Sequence, residues 1–440
     1  MRWLLLCVLA GSAAAQPEPS QADPQTLFRE VRRKLMLTIK RLPRYMCTQT
    51  TERSMFKPKS NIAVRSCDDL ATRRMSKDWA LRRFSFDRLR LDVSVSSEGE
   101  MYSWAGENRF QDRTLAELVR GGTTSTGTFS SFLASIFGAS ATTFSYAGKV
   151  PSGNRMLVAF AYRIPLEKST YQIGDEFQKT VVAYSGTFLV DSATFDLVRL
   201  TIGVDSLPDS LHACADTTTL EYGKIQINDA EFLLPIDAVL HIIHTDGTEL
   251  ENRTVFSGCH EFVGESSIRF DDEFAGVPMT GSEVRYPAPD IPAGIRFRLT
   301  LSKPIATASA AAGDSFKARL ATPIKSKKGD ILLSKDAELS GRIVSFGRTF
   351  LESSELLTAA LRLDSVQIDG RIHGFHANLA SSLRIYSKGV DHIMPLEAIP
   401  AFRQNRIEDS DVGFLHFLGA GDHYIIRRGL EMEGVTASPK

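Results

Sequence analysis

The sequence predicts a mainly β protein with a few helices (α+β), built as a larger N-terminal part and a smaller C-terminal one. Three observations carry this. Short runs of alternating apolar and polar residues, bounded by turn residues, recur through most of the chain. Helical periodicity is confined to residues 24–41 and to two short stretches between 114 and 137. The composition, 43% hydrophobic and 24% charged over 440 residues, supplies enough apolar side chain for more than one core.

Residues 1–15, MRWLLLCVLAGSAAA, place Arg2 before an apolar run from Trp3 to Ala10 and end on Ala13, Ala14 and Ala15. This is the pattern of a secretory signal peptide cleaved after Ala15. The apolar run of about eight residues is too short to span a bilayer, which needs ~20. Cys7 lies inside the run rather than at its end, which argues against lipidation. The expected location is the periplasm or the exterior of a bacterial cell. Cys47, Cys67, Cys214 and Cys259 then remain, an even number in an oxidising compartment, so two disulfides are expected. Cys47–Cys67 and Cys214–Cys259 is the pairing expected, because each joins segments that can be neighbouring strands; each would contribute about 3 kcal/mol. No cysteine pair has the short spacing of a zinc knuckle, and neither a metal nor a cofactor is expected.

Asp23 followed by Pro24 marks a helix start, and Leu27, Val31, Leu35 and Ile39 give it one apolar face before Pro43 ends it. Residues 84–95 alternate as a strand with a change of phase near Asp87, the sign of a bulge. Residues 184–200 form a hairpin around Asp191–Thr194, and 236–256 another around Asp246-Gly247. Thr114 and Glu117 match a capping box for a short helix ended by Gly121-Gly122. A Thr/Gly loop at 121–128 leads into a second helix at 129–137 carrying Phe129, Phe132, Leu133, Ile136 and Phe137. That helix is apolar round most of its circumference, so it is buried, either as core or as the lining of a cavity for an apolar ligand.

Pro278, Pro287, Pro289 and Pro292 punctuate a stretch without periodicity. The expected layout is therefore a signal peptide at 1–15, a first domain at 16–275, a Pro-rich linker at 276–292 and a second domain at 293–440. Alternation at 295–301, 316–320 and 337–343, with turns at Gly313-Asp314, Lys328–Asp330 and Asp369-Gly370, predicts a small barrel or sandwich. A last hairpin is expected from 412–418 and 422–427.

Charge is unevenly placed. The chain is neutral overall, yet residues 24–90 hold 18 Lys+Arg against 6 Asp+Glu, an excess of twelve. The predicted first helix carries Arg29, Arg32, Arg33, Lys34, Lys40 and Arg41. This basic surface either complements acids elsewhere in the fold or meets anionic lipid headgroups or a polyanionic polymer. Nucleic acid is not an expected partner, since no nucleic-acid module is recognisable.

Catalytic constellations fail on geometry. His241 and His244, and likewise His373 and His376, stand three apart on predicted strands and so point to opposite faces. The 121–128 loop lacks the Lys and spacing of a P-loop. Asp271, Asp272 and Glu273 alternate faces next to the linker. There is no Gly-x-Ser-x-Gly elbow. Asn252-Arg253-Thr254 is a formal glycosylation triplet that matters only in a eukaryotic host.

Residues 24–270, through RLPRYMCTQTTER at 41–53, YSGTFLVDSATFDLVRL at 184–200 and ENRTVFSGCHEFVGES at 251–266, resemble a family of uncharacterised secreted bacterial proteins. The hairpin at 184–200 is also similar to the periplasmic lipoprotein carriers of the Lol type. That resemblance implies an unclosed antiparallel half-barrel, with helices over an apolar concave face that takes acyl chains. The stretches IPAGIRFRLTLSKPI, DSFKARLATPI and GDILLSKDAELSGRI within 291–343 resemble the periplasmic β-barrel of TrbI-type conjugation-channel proteins, which implies a barrel for the second domain. The expected function is a non-enzymatic envelope protein holding a lipid or other apolar ligand. The alternative is a structural or assembly module contacting an envelope protein or cell-wall polymer, and an uncharacterised hydrolase is third. The sequence leaves the oligomeric state open.

Overall fold

The computed structural model describes residues 23–59, 66–96, 99–107, 110, 114–119, 121–129, 131–138, 142–174, 179–262, 285–387, 390–394 and 411–438. The expected signal peptide, the acidic stretch at 271–273 and the linker up to residue 284 lie outside these residues.

Helix α1 (Pro24–Arg41) begins as the sequence indicates: Asp23 accepts a hydrogen bond from the Thr26 amide, Pro24 fills the first turn, and Leu27, Val31 and Leu35 are buried. The first strands are β1 (Tyr45–Pro58), β2 (Leu81–Ser96) and β3 (Gly99–Trp104), with α2 (Cys67–Arg74) between β1 and β2. Two short helical pieces follow, α3 (Leu115–Leu118) and α4 (Ser131–Leu133). Next come β4 (Thr143–Ser152), β5 (Arg155–Ile164), the small hairpin β6 (Gln172–Gly174) and β7 (Lys179–Val181), β8 (Tyr184–Asp191) and β9 (Leu197–Val204). Three long strands complete this part: β10 (Ala213–Ile227), β11 (Ala230–His244) and β12 (Glu249–Glu261).

These pair in the order β4-β5-β8-β9-β10-β11-β12-β1-β2-β3, antiparallel at every step. No pairing joins β3 to β4 among the described residues, so the sheet is open. One face of the central strands alternates buried side chains, as with Leu89, Leu91, Val93 and Val95 of β2. The bulge expected near Asp87 sits at Phe84, where Met55 pairs with Ser85 and Phe56 with Arg83.

Turn chemistry sets the hairpins. The Asp191 carboxylate accepts from the amides of Ala193 and Thr194 between β8 and β9. Gly247, at φ 81°, turns β11 into β12. Gly186 allows β8 to approach β9, since a Cβ there would lie 1.8 Å from the Thr201 carbonyl oxygen.

The later strands are β13 (Arg285–Tyr286), β14 (Arg296–Leu301), β15 (Ile305–Ala306), β16 (Ser315–Leu320), β17 (Ile324–Lys325), β18 (Ile331–Leu333), β19 (Glu338–Phe350) and β20 (Glu355–Ile368). Then follow β21 (Arg371–Gly374), β22 (Ala377–Leu379), β23 (Ser382–Ser387), β24 (Val390–Met394), β25 (Val412–Leu418), β26 (Ile425–Ile426) and β27 (Glu431–Thr436). Ladders run β22-β27-β14-β16-β19-β20-β25, and β25 also pairs in parallel with β23. Two buried hydrophobic clusters result, one built from residues up to Phe256 with Ala312, the other from Phe297 to Met432.

Two expectations are corrected here. The pairings of the C-terminal strands do not close into a barrel among the described residues, and these strands are joined by hydrogen bonds to the N-terminal ones. The join is β2 to β19, pairing Ser85, Phe86 and Asp87 with Thr349, Arg348 and Gly347. Arg88 adds bonds to the carbonyls of Ala308 and Ala310, Arg90 pairs with Asp314, and Arg342 reaches the Ala105 carbonyl. The last hairpin also differs: Ile425 and Ile426 pair with Ala306 and Ile305 rather than with β25.

The disulfides are Cys47–Cys259 and Cys67–Cys214, so the expected connectivity is overturned while the four cysteines are the right ones. Cys67 opens helix α2 rather than lying on a strand beside β1. The neighbour of β1 is β12, 212 residues on, which brings the Cα atoms of Cys47 and Cys259 to 4.1 Å.

A candidate ligand trough with an apolar and a polar half

The buried face of the open sheet forms a trough roofed by α1 and by residues 127–129 and 131–138. The segment expected to be a helix at 129–137 is one α-helical turn, Ser131–Leu133, continued as a π-turn over Ala134–Gly138. Phe129, Phe132, Leu133, Ile136 and Phe137 are all at most 5% exposed and lie in the first cluster. Phe137 meets Phe188 edge-on at 5.0 Å and stacks on Phe144 at 6.0 Å, while Phe129 meets Phe256 at 4.6 Å and Tyr45 at 5.8 Å. Phe28 of α1 completes the aromatic layer against Phe144 and Phe160. The apolar half of the trough is thus filled by the protein's own side chains.

Few polar anchors hold this roof in place. Glu100 on β3 accepts from the amides of Gly127 and Phe129 at 2.7 and 3.0 Å and from the Tyr102 hydroxyl at 2.6 Å. Ser135 and Tyr184 share a hydroxyl–hydroxyl bond of 2.8 Å. Arg32 of α1 donates to the Phe137 carbonyl at 2.8 Å. Among the predicted basic residues, Arg32 is therefore a tether rather than free surface. Arg33 pairs with Glu30, Arg29 donates to Thr26, and Lys34 pairs with Asp196. Arg29, Arg33, Lys40 and Arg41 are exposed on the outer side of α1, together with Leu37.

The other half of the trough is polar. Gln49 and Thr51 of β1, Thr218 of β10, and Asn252 and Thr254 of β12 are buried on the concave face. Gln49 donates to Thr51, whose hydroxyl bonds Thr254 at 2.9 Å. The 121–128 loop closes over them. Arg53 donates to the Gly121 carbonyl at 2.8 Å, Asn252 to that of Thr123 at 2.8 Å, and Arg53 is itself held by a fork to Asp87. The loop is pinned to the sheet, not simply solvated as its composition suggests, and Asn252 is too buried to be a glycan acceptor. The recess beneath it, lined also by Leu89, Leu91, Ala238 and Leu240, has a volume of about 30 Å³. That accommodates about two waters and not an acyl chain. This half was missed in the sequence. Its signal is phase: Gln49 and Thr51 continue the parity of Tyr45 and Cys47, and Asn252 and Thr254 that of Phe256.

Tyr45, Tyr162, Tyr184 and Tyr222 are buried in the first cluster, with Tyr171 packed against it. Tyr162 donates to the Thr201 carbonyl at 3.0 Å. Burial raises the hydroxyl pKa of Tyr45, Tyr162, Tyr171 and Tyr222. Asp216 of β10 is raised from 3.8 to about 6 by burial alone, and its charge is felt at Tyr171.

His241 and His244 lie together on β11, as expected, whereas His373 is on β21 and His376 falls between β21 and β22, so strand alternation does not govern the second pair. His241 bonds Glu249, which Arg74 also holds, while His244 meets the His212 carbonyl and His373 that of Pro287. No group of three metal-ligating side chains occurs among the described residues, and no described helix is long and apolar enough to cross a membrane.

No protein-family model and no curated protein matches the chain. Among solved structures, it is similar to a LolA superfamily protein from Nitrosomonas europaea, at 8% identity and a TM-score of 0.24 over 52% of this chain and 91% of that one. It is also similar to a DUF1329 family protein from Desulfovibrio piger, at 12% identity and a TM-score of 0.25 over 56% of this chain and 96% of that one. Likeness at this level leaves the reading of function to the trough itself.

Proposed function

We propose that the protein is a non-enzymatic, exported envelope protein that binds an amphipathic ligand, an acyl chain with a polar head, in the trough. The observation that carries this is the construction of the roof. An open antiparallel sheet leaves its concave face to be covered by something else, and what covers it at 127–129 and 131–138 is an apolar segment with one α-turn and a π-turn rather than a regular helix. Such a segment is short and lies outside the strand ladders, so in this reading its local opening costs less than unfolding the strands beneath it. In this reading the roof is a plug, and a ligand takes the place of its aromatic side chains. The chain enters the apolar half, and the head lies toward Gln49, Thr51, Asn252 and Thr254. Two disulfides fit a periplasmic or extracellular site of action. The exposed cations of α1 support approach to an anionic lipid surface, an attraction that salt weakens.

The test is native mass spectrometry of protein mixed with bacterial phospholipid and fatty acid extracts. A one-to-one adduct of lipid mass, retained through gel filtration, is the expected result. Bare protein at every lipid concentration would overturn the proposal.

A further inference from the structure

Two phenol hydroxyls of the first buried cluster have nothing to bond. Tyr45 of β1 is 1% exposed and Tyr222 of β10 is 7% exposed, and neither phenol oxygen has a hydrogen-bond partner among the described residues. They stand on strands separated by β11 and β12, yet both side chains belong to the one buried cluster, and the charges felt at the Tyr45 hydroxyl are those of Glu100 first and then of Tyr222. The curvature of the sheet turns both toward the same interior. The ring of Phe129, from the plug, lies 5.8 Å from the ring of Tyr45. Leaving a buried hydroxyl unbonded is unfavourable, and an apolar side chain of the same shape would serve a plain core at least as well. Two such donors in one cluster, Tyr45 beside the displaceable ring, mark the place of an acceptor.

We propose that Tyr45 and Tyr222 form a binding subsite for the carbonyl oxygen of an acyl ligand, a carboxyl or ester group, once Phe129 withdraws. This rests on the trough reading and adds the ligand's acceptor to it. The carbonyl oxygen has two lone pairs and accepts from both phenols, while the chain continues into the space left by the plug. Each hydroxyl keeps its proton, because burial holds both well above the ordinary phenol value. A phenolate would repel the acceptor, and a protonated phenol donates to it.

The experiment compares 1-pyrenedecanoic acid, its methyl ester and 1-decylpyrene by fluorescence titration of the full-length protein with its disulfides intact. The wild-type protein should bind the acid, the ester or both at least tenfold more tightly than decylpyrene, and which of the two it prefers identifies a free fatty acid or an esterified lipid as the source. Tyr45→Phe and Tyr222→Phe should each weaken acid or ester binding about five- to tenfold, the range for one hydrogen bond. Decylpyrene binding and the melting temperature of the free protein should not change. Equal affinity for all three probes, unaffected by either substitution, would overturn the subsite and leave the apolar trough standing. Absence of binding by all three would overturn the trough reading with it.

Discussion

Asp216→Asn should make the protein more stable at neutral pH and leave it unchanged in acid. Asp216 lies on β10 in the alternation of Thr218, Leu220 and Tyr222, toward the trough, and burial is the cause that raises its carboxyl from 3.8 to about 6. A raised carboxyl means that the folded state resists ionisation. Below about pH 3 the group is protonated in folded and unfolded chains alike and costs nothing. Between about 4 and 6 the unfolded chain ionises first, so stability falls as pH rises. Above about 6 the full penalty is in place. At 1.36 kcal/mol per tenfold change in proton affinity, the displacement corresponds to about 3 kcal/mol. Asn keeps the shape and removes the charge. Urea unfolding of both proteins at pH 3 and pH 7.5, disulfides intact, measures it: the variant should gain about 2–3 kcal/mol at pH 7.5 and under about 0.5 at pH 3. A gain that is the same at both pH values, or a loss at pH 7.5, would show that Asp216 is not a buried, uncompensated carboxylate.

Further expectations follow from particular contacts. Phe137→Ala should cost about 3–5 kcal/mol in the ligand-free protein, because a fully buried ring against Phe188 and Phe144 leaves a cavity; denaturant unfolding checks this. Non-reducing peptide mapping should recover Cys47 with Cys259 and Cys67 with Cys214, and Cys67→Ser with Cys214→Ser should cost about 3–5 kcal/mol, since that bond closes a long loop. His416, lowered from 6.5 to about 4 by burial, is neutral in the folded protein, so its contribution is intact above pH 6.5 and is lost as pH falls toward 4. His416→Gln should flatten the stability profile over that window in thermal unfolding at graded pH.

What the sequence reveals is what is settled locally. The cap at Asp23, the capping box at Thr114 and Glu117, the Asp191 turn and the Asp246-Gly247 turn all form from residues within a few positions of one another, and each stands in the structure. So does the alternation of β2 and β14. The burial of Phe129, Phe132, Leu133, Ile136 and Phe137 follows from their apolarity, but the π-turn does not, because it depends on what the segment packs against. Disulfide pairing is non-local, being fixed by β12 returning beside β1. The polar recess draws on β1, β10, β12 and a loop, so no single window contains it. The ladder between β2 and β19 depends on Gly347, where a Cβ would come within 2.7 Å of the Phe86 carbonyl, and on arginines whose partners lie over two hundred residues away.

The displacement of the plug is measured most directly by hydrogen–deuterium exchange with and without saturating palmitate. Amides of residues 127–138 should exchange faster in the bound protein as the segment leaves the trough, while those of β1, β2 and β10 stay protected. Palmitate bound with exchange at 127–138 unchanged or slowed would contradict the account, placing the ligand elsewhere and leaving the segment as permanent core.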